Sequence, residues 1–144
     1  MGQRVIPVEV GVRWDPNTEH AVLASWESGV ARLRMRAHFD DPDQRVVVLV
    51  WEGVYSTRME GPNDEAGGGH RLYGIGLREV QWMGEVLDSE LIAELEMRNR
   101  VHERHDPNRF AGYRHWVVAL KGKTVEVVAR SLEATRLPVN PPDQ

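Results

Sequence analysis

From Ala31 to Phe39 the side chains alternate without a break: Ala31, Leu33, Met35, Ala37 and Phe39 are apolar, and Arg32, Arg34, Arg36 and His38 are basic. A helix would spread the two sets around its circumference, whereas a strand puts each set on one face. The segment is therefore expected to be a strand with one face buried and one solvated. The same period recurs at Val8, Val10, Val12 and Trp14, opposed by Glu9, Gly11 and Arg13, and again from Leu77 to Leu87, where Val80, Trp82 and Val86 share a face.

Val46 to Trp51 is apolar at every position, the pattern of a central strand covered on both sides, which implies two layers. Turn chemistry at Asp15-Pro16-Asn17, Ser28-Gly29 and Asp40-Asp41-Pro42-Asp43 separates the early strands. Glu60 to Gly69 is a loop by composition, and a short helical turn is expected near Arg71 to Ile75. The period changes after Asp88. Asp88 is a suitable N-cap, Glu90 suits the first turn, and Leu91, Ile92 and Leu95 fall at helical spacing, so a helix is expected from Ser89 to about Arg100. Tyr113 to Leu120 and Thr124 to Leu132 then form a hairpin around Lys121-Gly122-Lys123. The expected class is α+β, a mainly antiparallel sheet or sandwich of about seven strands carrying one main helix. Residues 1–137 are expected to form a single domain, and 138–144, rich in proline, a surface tail.

Composition removes several chemistries. The 144-residue chain has no cysteine, which excludes disulfides, thiolate metal sites and thiol nucleophiles. Its formal charge of −4 weighs against nucleic acid held by the overall field. The N-terminal residues resemble neither a signal peptide nor a spanning helix, so a cytoplasmic protein without a membrane partner is expected.

Four groups of residues could carry function. Asn99, His102 and His105 lie at the helix end; two histidines three apart can share a face and chelate a divalent metal, although the spacing is one residue short of His-Glu-x-x-His. Alternatively the imidazoles serve the helix terminus. Asn63, Asp64, Glu65, His70 and Tyr73 place carboxylates near an imidazole, the equipment of acid–base chemistry, or else of Asx turns. Arg114, His115 and Glu126 straddle the last hairpin, where an Arg114–Glu126 cross-strand ion pair is expected. The stripe from Arg32 to His38 suits a nucleic-acid backbone or simply a solvated strand face.

The ordered succession Pro62-Asn63-Asp64-Glu65-Ala66, Gly69-His70-Arg71-Leu72-Tyr73, Asn99-x-x-His102-x-x-His105, Arg114-His115 and Glu126 resembles a family of uncharacterised bacterial proteins with no established activity. The resemblance spans about Gly61 to Leu132. It departs at the final turn, where the family's His-Asp pair is missing and its cysteine is Val127. The leading expectation is a binding module whose polar surface recognises a protein or a small polar ligand. The alternatives are a hydrolase, with Asp64 or Glu65 as base and His102 and His105 as acid or metal ligands, and a nucleic-acid binder using the arginine stripe. No cofactor is expected beyond that divalent ion.

Overall fold

The computed structural model describes residues 2–15, 21–60, 71–121 and 123–137. Nine strands lie among them: β1 (Arg4–Pro7), β2 (Val22–Trp26), β3 (Val30–Arg36), β4 (Val46–Glu52), β5 (Ser56–Glu60), β6 (Met83–Leu87), β7 (Arg114–Leu120), β8 (Lys123–Ala129) and β9 (Ser131–Leu137). They form a five-stranded sheet, ordered β1-β6-β7-β8-β5, and a four-stranded sheet, ordered β2-β3-β4-β9. Every pairing is antiparallel. The main helix, α1, is Glu90–Asn99, and a short second helix, α2, is Pro107–Ala111. The α+β class is as expected, with more strands than the expected seven.

The period of two explains how the sheets stack. Ala31, Leu33 and Met35 of β3 and Val47, Leu49 and Trp51 of β4 point inward from the smaller sheet. They meet Met83, Trp116, Val118, Val125, Val127 and Ala129 of the larger one, with Trp14, Trp51 and Trp116 almost wholly enclosed. Residues of opposite parity on the larger sheet face the other way. Val86 and Val117 pack with Leu72, Leu77 and Val80, and Val128 packs with Leu91, Phe110 and Tyr113. The larger sheet is thus covered on both sides, by the smaller sheet and by the helical layer. Arg130 alone separates β8 from β9, so the chain crosses from one sheet to the other in a single residue.

Several local expectations shift. Val8, Val10 and Val12 do pack toward the core and Trp14 is buried, but only Trp14 pairs, through an isolated bridge to Ala37. Gly11, at φ +81°, interrupts an extended run, and the paired N-terminal strand is β1. Phe39 is 82% exposed because β3 has ended before it, leaving its ring against His38 at 4.1 Å. Leu77–Glu79 is a 3-10 turn, so only Met83–Leu87 of the expected strand is strand. The expected turn after Arg71 is present at Tyr73–Ile75. Val46 and Val50, outward on β4, are only half-buried, so that face of the smaller sheet is less enclosed than an all-apolar run implies. Pro16 and Asn17 of the expected turn, the loop Glu60 to Gly69 beyond Glu60, Gly122 and the 138–144 tail lie outside the described residues. Among the described residues no helix is long and apolar enough to cross a membrane.

Candidate functional site

Among the described residues the most enclosed polar side chains sit between the larger sheet and α1. His115 and Glu126 have side-chain exposures of 0% and 1%. Strand register puts them there: Val117 pairs with Glu126 and His115 with Val128, so the two lie on a diagonal of the helix-facing side. β6 reaches the same place, since Val86 pairs with His115. Asp88, at φ +52°, then turns the chain from strand into helix. That conformation makes Asp88 a turn residue, and the N-cap is Ser89 rather than the expected Asp88.

Four side chains connect in series. Ser89 Oγ lies 2.7 Å from His115 Nδ1, and His115 Nε2 lies 2.8 Å from Glu126 Oε1. Arg71 clamps the same carboxylate with two donors, at 3.0 and 2.5 Å. Burial pushes the Glu126 carboxyl up, but hydrogen bonds from His115 and Arg71 outweigh it and hold the pKa at about 2. Glu126 is therefore an acceptor, which places the proton of a neutral His115 ring on Nε2. Nδ1 is then free to accept from the Ser89 hydroxyl. The Arg71 guanidinium is in turn raised by Glu126. Ser89 Oγ also accepts from Ile92 N–H at 3.1 Å, closing the first turn of α1.

Ser89 opens onto a groove of about 560 Å³. Its floor is one stripe of α1 with the residues that flank it, Asp88, Ser89, Ile92, Ala93, Glu96, Met97 and Arg100, and Phe110 of α2 completes the lining. At 1.5 Å per residue the stripe runs roughly 18 Å. Its middle is apolar. Its far end is a second polar cluster: Arg100 Nε donates to Glu96 at 2.9 Å, and His105 Nδ1 is 2.8 Å from Asn99 Oδ1. His105 Nε2 is 3.3 Å from Glu96 Oε1 but makes no hydrogen bond. Phe110 is held by edge contacts with Tyr55 and Tyr113, at 5.3 and 5.5 Å between ring centroids.

The residues singled out from sequence fall into separate places. His115 and Glu126 come together, while Asn99 and His105 form their own pair at the other end of α1. His102 is exposed, and Tyr73 is half-buried in its 3-10 turn. Arg114 does not pair with Glu126. Being one residue from His115, it faces the opposite side of the sheet, where it binds Glu85 at 2.9 and 2.6 Å and lies over Trp116. Asn63, Asp64, Glu65 and His70 lie outside the described residues. Among those described, no group of three or more His, Asp or Glu side chains is placed to hold a metal ion. On the arginine stripe, Arg32 lies over Trp26 and Arg36 is 3.5 Å from Asp15. Ser89, Arg71 and Glu96 carried no functional signal in the sequence. Ser89 reads as an ordinary helix start, and nothing in its spacing ties it to His115. Comparison of the chain with protein-family models, curated proteins and solved structures finds no match.

Proposed function

We propose that the chain is a binding module for a small amphiphilic ligand, held in the α1–α2 groove with its polar group at Ser89 and its hydrocarbon part along Ile92, Ala93 and Met97. The observation that carries this reading is the juxtaposition of an apolar helix stripe with a hydroxyl whose orientation is fixed by buried groups behind it. Ligand sites combine these two properties: apolar walls supply most of the affinity, and a few positioned polar atoms set orientation. The groove's volume of about 560 Å³ is in the range of small-molecule sites. Ser89 Oγ has two oxygen lone pairs and spends one on Ile92 N–H, leaving an acceptor for a ligand donor.

A series of straight-chain primary alcohols, heptanol to undecanol, whose hydroxyl can donate to Ser89 Oγ, tests this with methyl-labelled methionine and alanine in NMR. Shifts should concentrate at Met97 and Ala93. Affinity should rise about two- to fourfold per added methylene, because each buried CH₂ contributes at most about 0.8 kcal/mol and the groove is open on one side. Ala93→Trp, at an exposed helix position, should block the groove and remove the response without unfolding the protein. Affinity independent of chain length would reject the reading.

A further inference from the structure

We infer that Ser89 is an activated nucleophile that takes an acyl group from esters bound in the α1–α2 groove. This deepens the binding proposal by naming the substrate class of the same site. It rests on that reading for the place of the acyl chain and on separate geometry for the chemistry.

The geometry is a hydroxyl, an imidazole and an ionised carboxylate in hydrogen-bonded sequence, at 2.7 and 2.8 Å. That sequence is what nucleophilic acyl transfer needs: a base within reach of the hydroxyl proton, and a third group that fixes the base's tautomer and orientation. Here the serine meets Nδ1 and the carboxylate meets Nε2. The chemistry is indifferent to the exchange, because one ring nitrogen receives the proton while the other is held.

The local chain path agrees. β6 runs into Asp88, the backbone turns through a left-handed residue, and α1 begins at once. A serine on a sharp strand-to-helix turn is presented at the end of a sheet with its hydroxyl outward. In this chain the left-handed residue is the one before the serine, and the flanking glycines of the G-x-S-x-G motif are absent. Ser89 also stands at the positive end of a ten-residue helix, whose dipole favours negative charge developing on a carbonyl oxygen there, although the first-turn N–H groups of Glu90 and Ile92 already donate to Gln3 Oε1 and Ser89 Oγ.

In the first step the Ser89 Oγ–H bond breaks, its proton passes to His115 Nδ1, and Oγ bonds to the ester carbonyl carbon. The tetrahedral intermediate collapses by breaking the bond to the leaving oxygen, which takes the proton from His115. Acyl-Ser89 and a free alcohol result. Water then attacks the acyl carbon, gives its proton to His115, and the carboxylic acid leaves as Ser89 Oγ recovers the proton. Ser89 is the nucleophile and His115 the base; Glu126 and Arg71 are positioning residues.

Two features set the rate. Arg71 neutralises Glu126, so the imidazolium formed in each step meets a carboxylate whose charge is already shared. His115 has no exposed surface, which restricts the approach of the water of the second step. Acylation should be slow, deacylation slower, and the acyl-protein should accumulate.

p-Nitrophenyl octanoate tests this. The expected result is a burst of p-nitrophenolate approaching one equivalent, a slow steady phase, and one octanoyl group mapped to the peptide containing Ser89. Ser89→Asn, which retains a good N-cap without the nucleophile, should abolish both burst and adduct. Ser89→Thr, which retains hydroxyl and cap, should restore part of the adduct. Glu126→Gln should slow the burst at least about tenfold, since the third group of such a relay governs rate through the base. No burst, an equal burst in Ser89→Asn, or an adduct mapped elsewhere would overturn the nucleophile. Should the alcohol series still shift Met97 in that case, groove binding survives by itself. Acylation of Ser89 without any chain-length dependence among the alcohols would do the reverse.

Discussion

A carboxylate as enclosed as Glu126 stays ionised only while its partners stay in place. Its pKa of about 2 lies below the ordinary 4.5. A depressed folded-state pKa means stability that is present above the unfolded value and lost as the pH falls toward the folded one. The protein should therefore lose stability between about pH 4.5 and pH 2. Asp41, held at about 2 by the Arg45 side chain, titrates in an overlapping window. The two separate by mutation: the acid-dependent loss in urea titrations should shrink in Glu126→Gln and, independently, in Asp41→Asn. At neutral pH Glu126→Gln should also cost about 1–3 kcal/mol, the range for a buried polar network that loses one charged member. The cost stays below that of a fully buried pair because Arg71 is 41% exposed and can turn to water. An unchanged acid limb in Glu126→Gln would mean that the clamp is not formed in solution. At this scale the site was half legible. His115 and Glu126 stood out together with Arg114 in the final hairpin, but the partners of His115 and Glu126 outside it did not. Ser89 and Arg71 reach them across the sheet from segments 26 and 55 residues away in sequence, a separation that no spacing rule encodes.

At the scale of elements, β1 is fixed to the larger sheet by its pairing with β6 and by a close approach of the turn at Gly76. That residue has φ +127°, and a Cβ there would lie 2.1 Å from the Val5 carbonyl oxygen. Gly76→Ala should therefore detach β1, seen as loss of hydrogen-exchange protection at the amides of Arg4 to Ile6. Destabilisation should be of at least about 1–3 kcal/mol, the cost of a strained backbone residue before any clash is added. Intact protection of β1 in that variant would contradict the tight approach. β3 and α1 were readable in the sequence because burial on one face imposes a period, and β4, β7 and β8 because burial on both faces makes a near-continuous apolar run. β5 was missed because it sits at a sheet edge with mostly polar residues, burying little. The helix α2 is short, and its sign, Asp106 capping Asn108 N–H before a proline-led turn, resembles a loop. β9 was merged into the end of the preceding strand because a one-residue crossing leaves no turn composition behind.

Across the whole molecule, the three layers share the larger sheet, so they should unfold together. Leu49, fully buried in the sandwich, does not touch the helical layer. Yet Leu49→Ala should cost about 2–5 kcal/mol and shift the tryptophan-fluorescence and helical circular-dichroism transitions in urea by the same amount. A helical signal that melts separately, with its midpoint unmoved, would show that the helical layer is not coupled to the sandwich.

The single-residue passage at Arg130 also sets the mechanical route by which the protein comes apart. Traction at Leu137 opens β9 from β4 one pair at a time, from Leu137–Val46 to Ser131–Glu52. No slack follows: the next tug falls on β8, held on both sides by β7 and β5. An unfolding motor drawing on this end would strip an edge cheaply, stall at Ala129, and break the His115–Glu126 contact only after that stall. A force trace should record a soft rip followed by a hard one, with the site dismantled in the second.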